Sequence, residues 1–598
     1  MLAKIYNFFL KKKPLLFVNV VFIWGYLSVF FLSIPLQCQA ATLTELDSIE
    51  QIRTQEQEQR LRQKLEVKPD VRLRLSGQLD QGLLPEHESP CFSIDKIVLE
   101  DISGVNPSHS SADKFQWALD ASNELADGTP DIALGRCLGS SGINILVKRV
   151  QNAIVNKGFI TTRIVVTPQD LTTGTLKLTL VPGRIHKISF LDADNIRATY
   201  WNAVPAKVGD LLNLRDIEQA LENFKRLPTA EADIKIQPSS TENSQPGDSD
   251  LVFDWKQGFP FRLNLSLDDS GSPATGKYQG NLTLSYDHWW TLNDLFYVSF
   301  NHDLGGGDIG RRGTKGYTIH YSIPFGYWLL AATGSNNQYH QTVAGFTQNY
   351  IYSGDSANQE IKLSRMIYRD AYRKTSLSIR GWLRSSQNYI DDTEVIVQRR
   401  RMAGWDFGIS HQQFIAKGSL SIEVNYRRGV KGYGSLPAPE EAFEEGTSQP
   451  EILTSQVQLS IPFQVENHTL NYHGILKGQL NYTPLVPLDR FSIGSRYTVR
   501  GFDGNQQLSA ERGWLFRNEL SLALSHTGQA LYLGVDSGEV SGPTSTKLVG
   551  TTLSGGVIGL RGGYKAFIYD LFFGKPISKP SKFIVSDSVI GFSVNASF

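Results

Sequence analysis

From Phe259 to Phe598 the sequence alternates with period two. "FRLNLSLDD" (261–269), "QGNLTLSYD" (279–287), "LFYVSFNHD" (295–303), "GYTIHYSIP" (316–324), "SLSIRGWLR" (376–384), "SLSIEVNYRRG" (419–429), "TSQVQLSIPF" (454–463) and "ELSLALS" (519–525) carry the pattern. Period two gives a strand one apolar and one polar face. Segments of about ten residues suit a tilted strand crossing a bilayer. At ~21 residues per strand and connection, the region holds ~16 antiparallel strands of a membrane β-barrel. A soluble sandwich or propeller would also alternate, but no propeller repeat signature recurs. The last ten residues, "VIGFSVNASF", alternate through Phe592, Val594, Ala596 and Phe598, as a final barrel strand would.

Composition agrees. Lys plus Arg and Asp plus Glu both number 59, so no basic excess points to nucleic acid. Mean hydropathy is slightly negative, which excludes a multi-span helical membrane protein. Lys4, Lys11, Lys12 and Lys13 precede an uncharged run from Pro14 to Thr44, and "QCQAAT" with Ala40 and Ala41 follows its apolar part. This reads as a signal peptide over residues 1–40, with an uncleaved anchor as the alternative. Gln37 is too large for a lipoprotein cleavage site before Cys38. Cys91 and Cys137 then remain, an even count that fits one disulfide or two buried thiols.

Residues 41–66 lack Gly and Pro and are rich in helix formers. Leu43, Leu46, Ile49 and Ile52 recur every third residue, and Thr42 with Glu45 fits a capping box. Beyond Ile52 the helix is polar almost all round, so it is either solvated or sits in a wet cavity. Residues 67–90, with Pro69, Gly77, Gly82, Pro85 and Pro90, read as a linker. Residues 91–183 read as a small α+β module. It has strands at 92–100, 159–168 and 174–183, and helices at 112–126 and 143–158. Residues 184–257 repeat the order, with a helical stretch expected near "IRATYWNAV" and a good helix at 213–227. No catalytic constellation emerges. "SGSPATG" and "DSGEVSG" lack a strand–turn–helix frame, and the eleven His show no metal-ligand spacing. No cofactor is implied.

Several stretches together carry a resemblance: "PCFSIDKIVL" (90–99), "GRCLGSSGINILVKRVQNAIVNKGFITTRIVVTPQDLTTGTLKLTLVPGRI" (135–185), "LNLRDIEQALENFKRLP" (212–228), "LDDSGSPATGKYQGNLTLSYD" (267–287) and "IGSRYTVRGFDG" (493–504). The chain resembles the two-partner secretion transporters, or hemolysin secretion/activation proteins, of the Gram-negative outer membrane. The resemblance implies an Omp85-type 16-stranded barrel at 258–598 in outer-membrane lipid, with a plug helix at 41–66. It also implies two periplasmic POTRA domains, at 91–183 and 184–257. The implied function is export, without ATP, of a large unfolded partner protein: a hemolysin, an adhesin or a contact-dependent inhibition toxin. The partner would be captured by the POTRA domains, and the transporter would act as a monomer. A barrel-assembly insertase is the alternative, disfavoured by the count of two modules and by the plug helix.

The resemblance also assigns residues. Val499, Arg500, Gly501 and Phe502 form the secretion motif, on a loop at 493–514 that folds back into the barrel. Arg500 is expected to pair with Asp536, in "LYLGVDSGEV". A Cys91–Cys137 bridge would tie the opening strand of the first POTRA domain to its long helix, worth about 3–4 kcal/mol across ~45 residues.

Overall fold

The computed structural model describes residues 43–66, 69–73, 82–102, 111–125, 127–192, 197–524 and 528–598. The signal-peptide reading, Cys38 and the Thr42–Glu45 capping box lie outside the described side chains.

One closed antiparallel barrel dominates. Its wall runs through β9 (Phe261–Asp268), β10 (Gln279–Asp287), β11 (Leu295–Asp303), β12 (Gly313–Phe325), β13 (Trp328–Ala344) and β14 (Asn349–Arg369). It continues through β15 (Arg373–Ile390), β17 (Arg400–Ile415), β18 (Gly418–Val430), β19 (Glu451–Val465) and β20 (His468–Asn481). The last strands are β23 (Arg512–Leu524), β24 (Gln529–Ser541), β25 (Thr552–Tyr564), β26 (Phe567–Ser578) and β27 (Val589–Ser597). The two-residue β16 (Thr393–Glu394) only extends the tip of β15, so sixteen strands make the wall. β27 closes on β9, from Ser593 opposite Asp268 to Ser597 opposite Asn264.

The burial of this wall is inverted. On β12 the inward Thr318, His320 and Ser322 are buried, while the outward Tyr317, Ile319 and Phe325 are exposed. On β24 Leu531, Leu533 and Val535 are exposed and Asp536 is buried. Soluble monomers rarely expose contiguous apolar patches beyond a few hundred Å². An outward apolar band around a polar interior is the arrangement that lipid stabilises. No described helix is long and apolar enough to cross a membrane.

Some strands are longer than the alternation indicates. β13, β14 and β15 have 17, 21 and 18 residues. Along the first half of β14 the outer face carries Ser353, Asp355 and Gln359. The outer face of that half is largely polar, so hydropathy marks only the half whose outer face is apolar.

The first module contains β1 (Phe92–Ser93), β2 (Lys96–Asp101), β3 (Cys137–Leu138), α2 (Ser140–Asn156), β4 (Arg163–Val165) and β5 (Thr175–Val181). Its main sheet runs β2–β5–β4, with β2 parallel to β5. Leu146, Val150 and Ile154 recur every four residues on α2 and are fully buried against Phe115, Leu176 and Leu178. The second module contains β6 (Ile185–Phe190), α3 (Leu214–Lys225), β7 (Ala230–Pro238) and β8 (Ser249–Gln257), with the analogous order β6–β8–β7. Ile217, Leu221 and Phe224 of α3 pack on Leu251 and Phe253.

Three local expectations are corrected. Ala112–Asn123 is a 3-10 helix, and Glu124 already bridges to Pro130. The strand expected at 159–168 shrinks to β4, where the Gln151 side chain takes the backbone groups at its start, donating to Thr162 O and accepting from Ile164 N–H (both 2.9 Å). Residues 197–204 are turns rather than a helix, since Asn202 is bonded to the barrel through its carbonyl and its side chain.

Cys91 and Cys137 form a disulfide beside the β1–β3 pair. Next to it, the Glu88 carboxylate accepts from the N–H groups of Gly139, Ser141 and Gly142, at 2.6, 2.9 and 3.0 Å. Desolvation works to raise the Glu88 pKa, but these three donors at the start of α2 hold it below the usual range. The linker read at 67–90 is therefore anchored where it is described.

Candidate functional site in the barrel lumen

Two inserts occupy the lumen. The first is the 482–511 connection between β20 and β23, which contains the short pair β21 (Phe491–Ile493) and β22 (Leu508–Ala510). Val499 and Phe502 are fully buried with Ile493, Leu508, Leu515 and Leu553, and Phe502 meets Phe583 edge-on at 5.8 Å. These apolar stakes hold Arg500 against the wall. Arg500 donates from Nε to Asp536 Oδ2 (2.7 Å), from Nη2 to Asp536 Oδ1 (2.9 Å) and from its own backbone N–H to Oδ2 (3.0 Å). Its Nη1 pairs with Glu519 at 2.5 Å. Asp536 is 0% exposed, so the fork-on-carboxylate geometry works in a low-dielectric setting.

The loop lies flush on the wall. Gly501 sits at φ +99°, and a Cβ there would fall 2.6 Å from Lys575 O. The wall gives way in turn: a Cβ at Gly555 would fall 1.9 Å from Arg500 O, and one at Gly534 would fall 2.5 Å from Arg500 Nη2. Arg496 adds a second tether, to Asp269 at 2.7 Å, next to the β27–β9 junction.

The second insert is the helix α1 (Leu43–Leu65). Its side chains meet inward wall residues through polar contacts: Asp47 with Tyr339 (2.7 Å), Glu58 with Asn337 (2.8 Å) and Arg62 with Glu360 (2.5 Å). It also touches the loop, Arg53 donating to Gly504 O (3.0 Å) and Glu56 accepting from Ser495 Oγ (3.1 Å). Of the two settings left open for a polar helix, the structure has the wet cavity. A hydrogen bond of this kind contributes about 1 kcal/mol net, so such a helix is held by many separate polar contacts rather than by an apolar face.

At the rim carrying the modules, α3 docks on the barrel turns. Arg369 of β14 pairs with Glu218 (3.1 Å) and Glu222 (2.8 Å), and Lys374 of β15 pairs with Glu222 (2.6 Å) and Asp70 (2.7 Å). The chain leaving α1 threads this junction, where Val71 and Leu73 donate their N–H groups to Glu222 and Glu218 (2.9 and 2.8 Å). Tyr327 bonds Asp216, whose pKa burial pushes up.

Thus Arg500 and Asp536, 36 positions apart, are in contact, with Val499, Gly501 and Phe502 framing them. Cys91 and Cys137 lie in the first module, away from this cluster. Sequence reasoning missed Glu519, which also pairs with Arg561 of β25, and the glycine bed under the loop. The signal for Glu519 was present. It shares with Arg517 the inward parity of β23, opposite exposed Trp514, Phe516 and Leu520.

The family model for haemolysin secretion/activation protein ShlB/FhaC/HecB matches residues 247–562. POTRA domain models match residues 184–238 and, in a ShlB-type form, 125–183. Outer membrane transporter CdiB-2 of Burkholderia pseudomallei (strain 1026b) is 36% identical over 523 residues, covering 86% of this chain and 87% of that protein. Hemolysin transporter protein ShlB of Serratia marcescens is 25% identical over 474 residues, 77% and 79% of the two chains. The solved structure of CdiB from Acinetobacter baumannii superposes with a TM-score of 0.80 at 30% identity, over 94% of this chain and 100% of that one.

Proposed function

Because this chain belongs to the haemolysin secretion/activation protein family, we propose that it is an outer-membrane pore that exports a partner protein to the cell surface. The barrel spans the outer membrane of a Gram-negative cell, with both POTRA domains in the periplasm. The observation that carries the reading is the lumen itself. A sixteen-stranded wall is wide enough for an aqueous channel, and here it is closed by two inserts rather than by packed core. One insert, α1, is held by polar contacts that water or a passing chain can replace.

In this reading the partner arrives unfolded, because a folded domain does not fit beside the motif loop. The POTRA domains capture extended segments, and folding outside makes the passage one-way without ATP. One copy of the chain suffices. Arg500, Asp536 and Glu519 keep the motif loop seated while α1 leaves.

Removal of residues 43–66 is expected to raise single-channel conductance in planar bilayers several-fold while export continues. Unchanged conductance would mean that α1 does not close the pore.

A further inference from the structure

Trp201 belongs to the second POTRA domain, between β6 and α3, yet it stands at the lipid-facing edge of the barrel. Its backbone is fixed there. The neighbouring Asn202 is 1% exposed and donates from Nδ2 to Leu292 O (2.5 Å) on the β10–β11 turn and to Pro324 O (3.1 Å) at the end of β12. Gly326 N–H donates back to Asn202 O (2.8 Å), and Asn293 Nδ2 donates to Thr199 O (2.9 Å). With this segment pinned between the turns, the Trp201 ring meets Phe325 at 5.8 Å and remains 62% exposed.

Phe325 is the last outward residue of β12, and Trp328 is its register partner on β13. Trp289 and Trp290, on the β10–β11 turn, are also exposed, and Trp289 packs on outward Tyr286 and Phe296 at 5.4 and 4.9 Å. These rings end the apolar band on the periplasmic side. Tryptophan is favoured at such a level, where its ring lies between acyl chains and headgroups. A singly exposed aromatic is ordinary on a soluble surface, but a ring joined to a contiguous apolar band marks an interaction surface. Here it continues the barrel's lipid-facing surface.

We propose that Trp201 dips into the periplasmic leaflet of the outer membrane, so that the second POTRA domain is a lipid-contacting element with its own interfacial anchor. The expected depth is the headgroup–acyl boundary, about 5–10 Å below the leaflet surface. The occupant is phospholipid, because the surface is continuous with the wall that lipid already covers. The proposal rests on the barrel being membrane-embedded, and the test separates the two claims.

The experiment places a nitroxide spin label at Trp201→Cys in the full chain carrying Cys38→Ser, reconstituted in phosphatidylethanolamine–phosphatidylglycerol vesicles. Companion labels go at Ile361→Cys on the outer wall and at Lys177→Cys on the first POTRA domain. Collisions with oxygen and with a water-soluble nickel chelate are compared. The oxygen-to-nickel ratio at 201 is expected to exceed that at 177 several-fold and to fall below that at 361. A ratio at 201 equal to that at 177, with 361 in lipid, overturns the proposal and leaves the barrel reading intact. An aqueous ratio at 361 removes both. Spin–spin broadening at 201, or shielding only when partner protein is added, assigns the surface to a second copy or to the partner and likewise overturns it.

Discussion

Arg500→Ala is expected to cut secretion of the partner by tenfold or more while the barrel still inserts as a heat-modifiable species. The substitution strips Asp536, 0% exposed, of its bidentate cation. Removing one partner of a buried pair costs about 3–5 kcal/mol, mostly because the remaining charge has nowhere to go. Arg517 approaches Asp536 only to 3.8 Å and donates instead to Tyr497 O. It is a poor substitute, so the loop is expected to lose its register on the glycine bed. Arg500→Lys keeps a charge but not the planar fork, and an intermediate defect is expected. Asp536→Ala should resemble Arg500→Ala. The double variant should be less than additive, since both changes remove the same contact. The readout is secreted partner at equal barrel abundance. Normal secretion by Arg500→Ala would mean that the pair serves stability alone.

Deletion of residues 91–183 is expected to abolish export and to leave the barrel in the membrane. The removed part is a module with its own core, centred on Phe115, Leu146, Val150 and Leu178, and its own disulfide. The second POTRA domain stays docked through Arg369, Lys374 and Asn202, so the rim remains intact. On the proposed reading, what disappears is the partner-capturing surface, including the edge strands β2 and β4, where an extended segment could add a strand. Export at normal rates without residues 91–183 would move recognition to the second POTRA domain or the barrel.

Much of this architecture is legible before any coordinates, and the reason is physical. In a membrane barrel, alternation is forced wherever one face meets lipid, so strands such as β10 and β11 announce themselves. The force stops at the bilayer edge. Ser353, Asp355 and Gln359 of β14 therefore carry no apolar signal, although they are strand. The two modules are legible from the four-residue recurrence on α2 and the apolar face of α3. Residues 197–204 mislead because their conformation is set by the barrel turns, which local propensity does not see. The Arg500–Asp536 contact came from the resemblance. Alternation alone places Asp536 inside but names no partner for it. Glu519 and the glycines at 534 and 555 went unread, because a carboxylate on the inner face looks like ordinary lumen lining until the loop lies on it.

The central claim is that the partner passes through the lumen once α1 yields. It is tested most directly by a photo-crosslinking amino acid at Asn337, which faces inward and bonds Glu58 of α1, with Ile361 on the outer wall as control. During active export the account predicts partner crosslinks from position 337 and none from 361, together with loss of the crosslink between 337 and α1. Normal export with position 337 still crosslinked to α1 and never to the partner would contradict it.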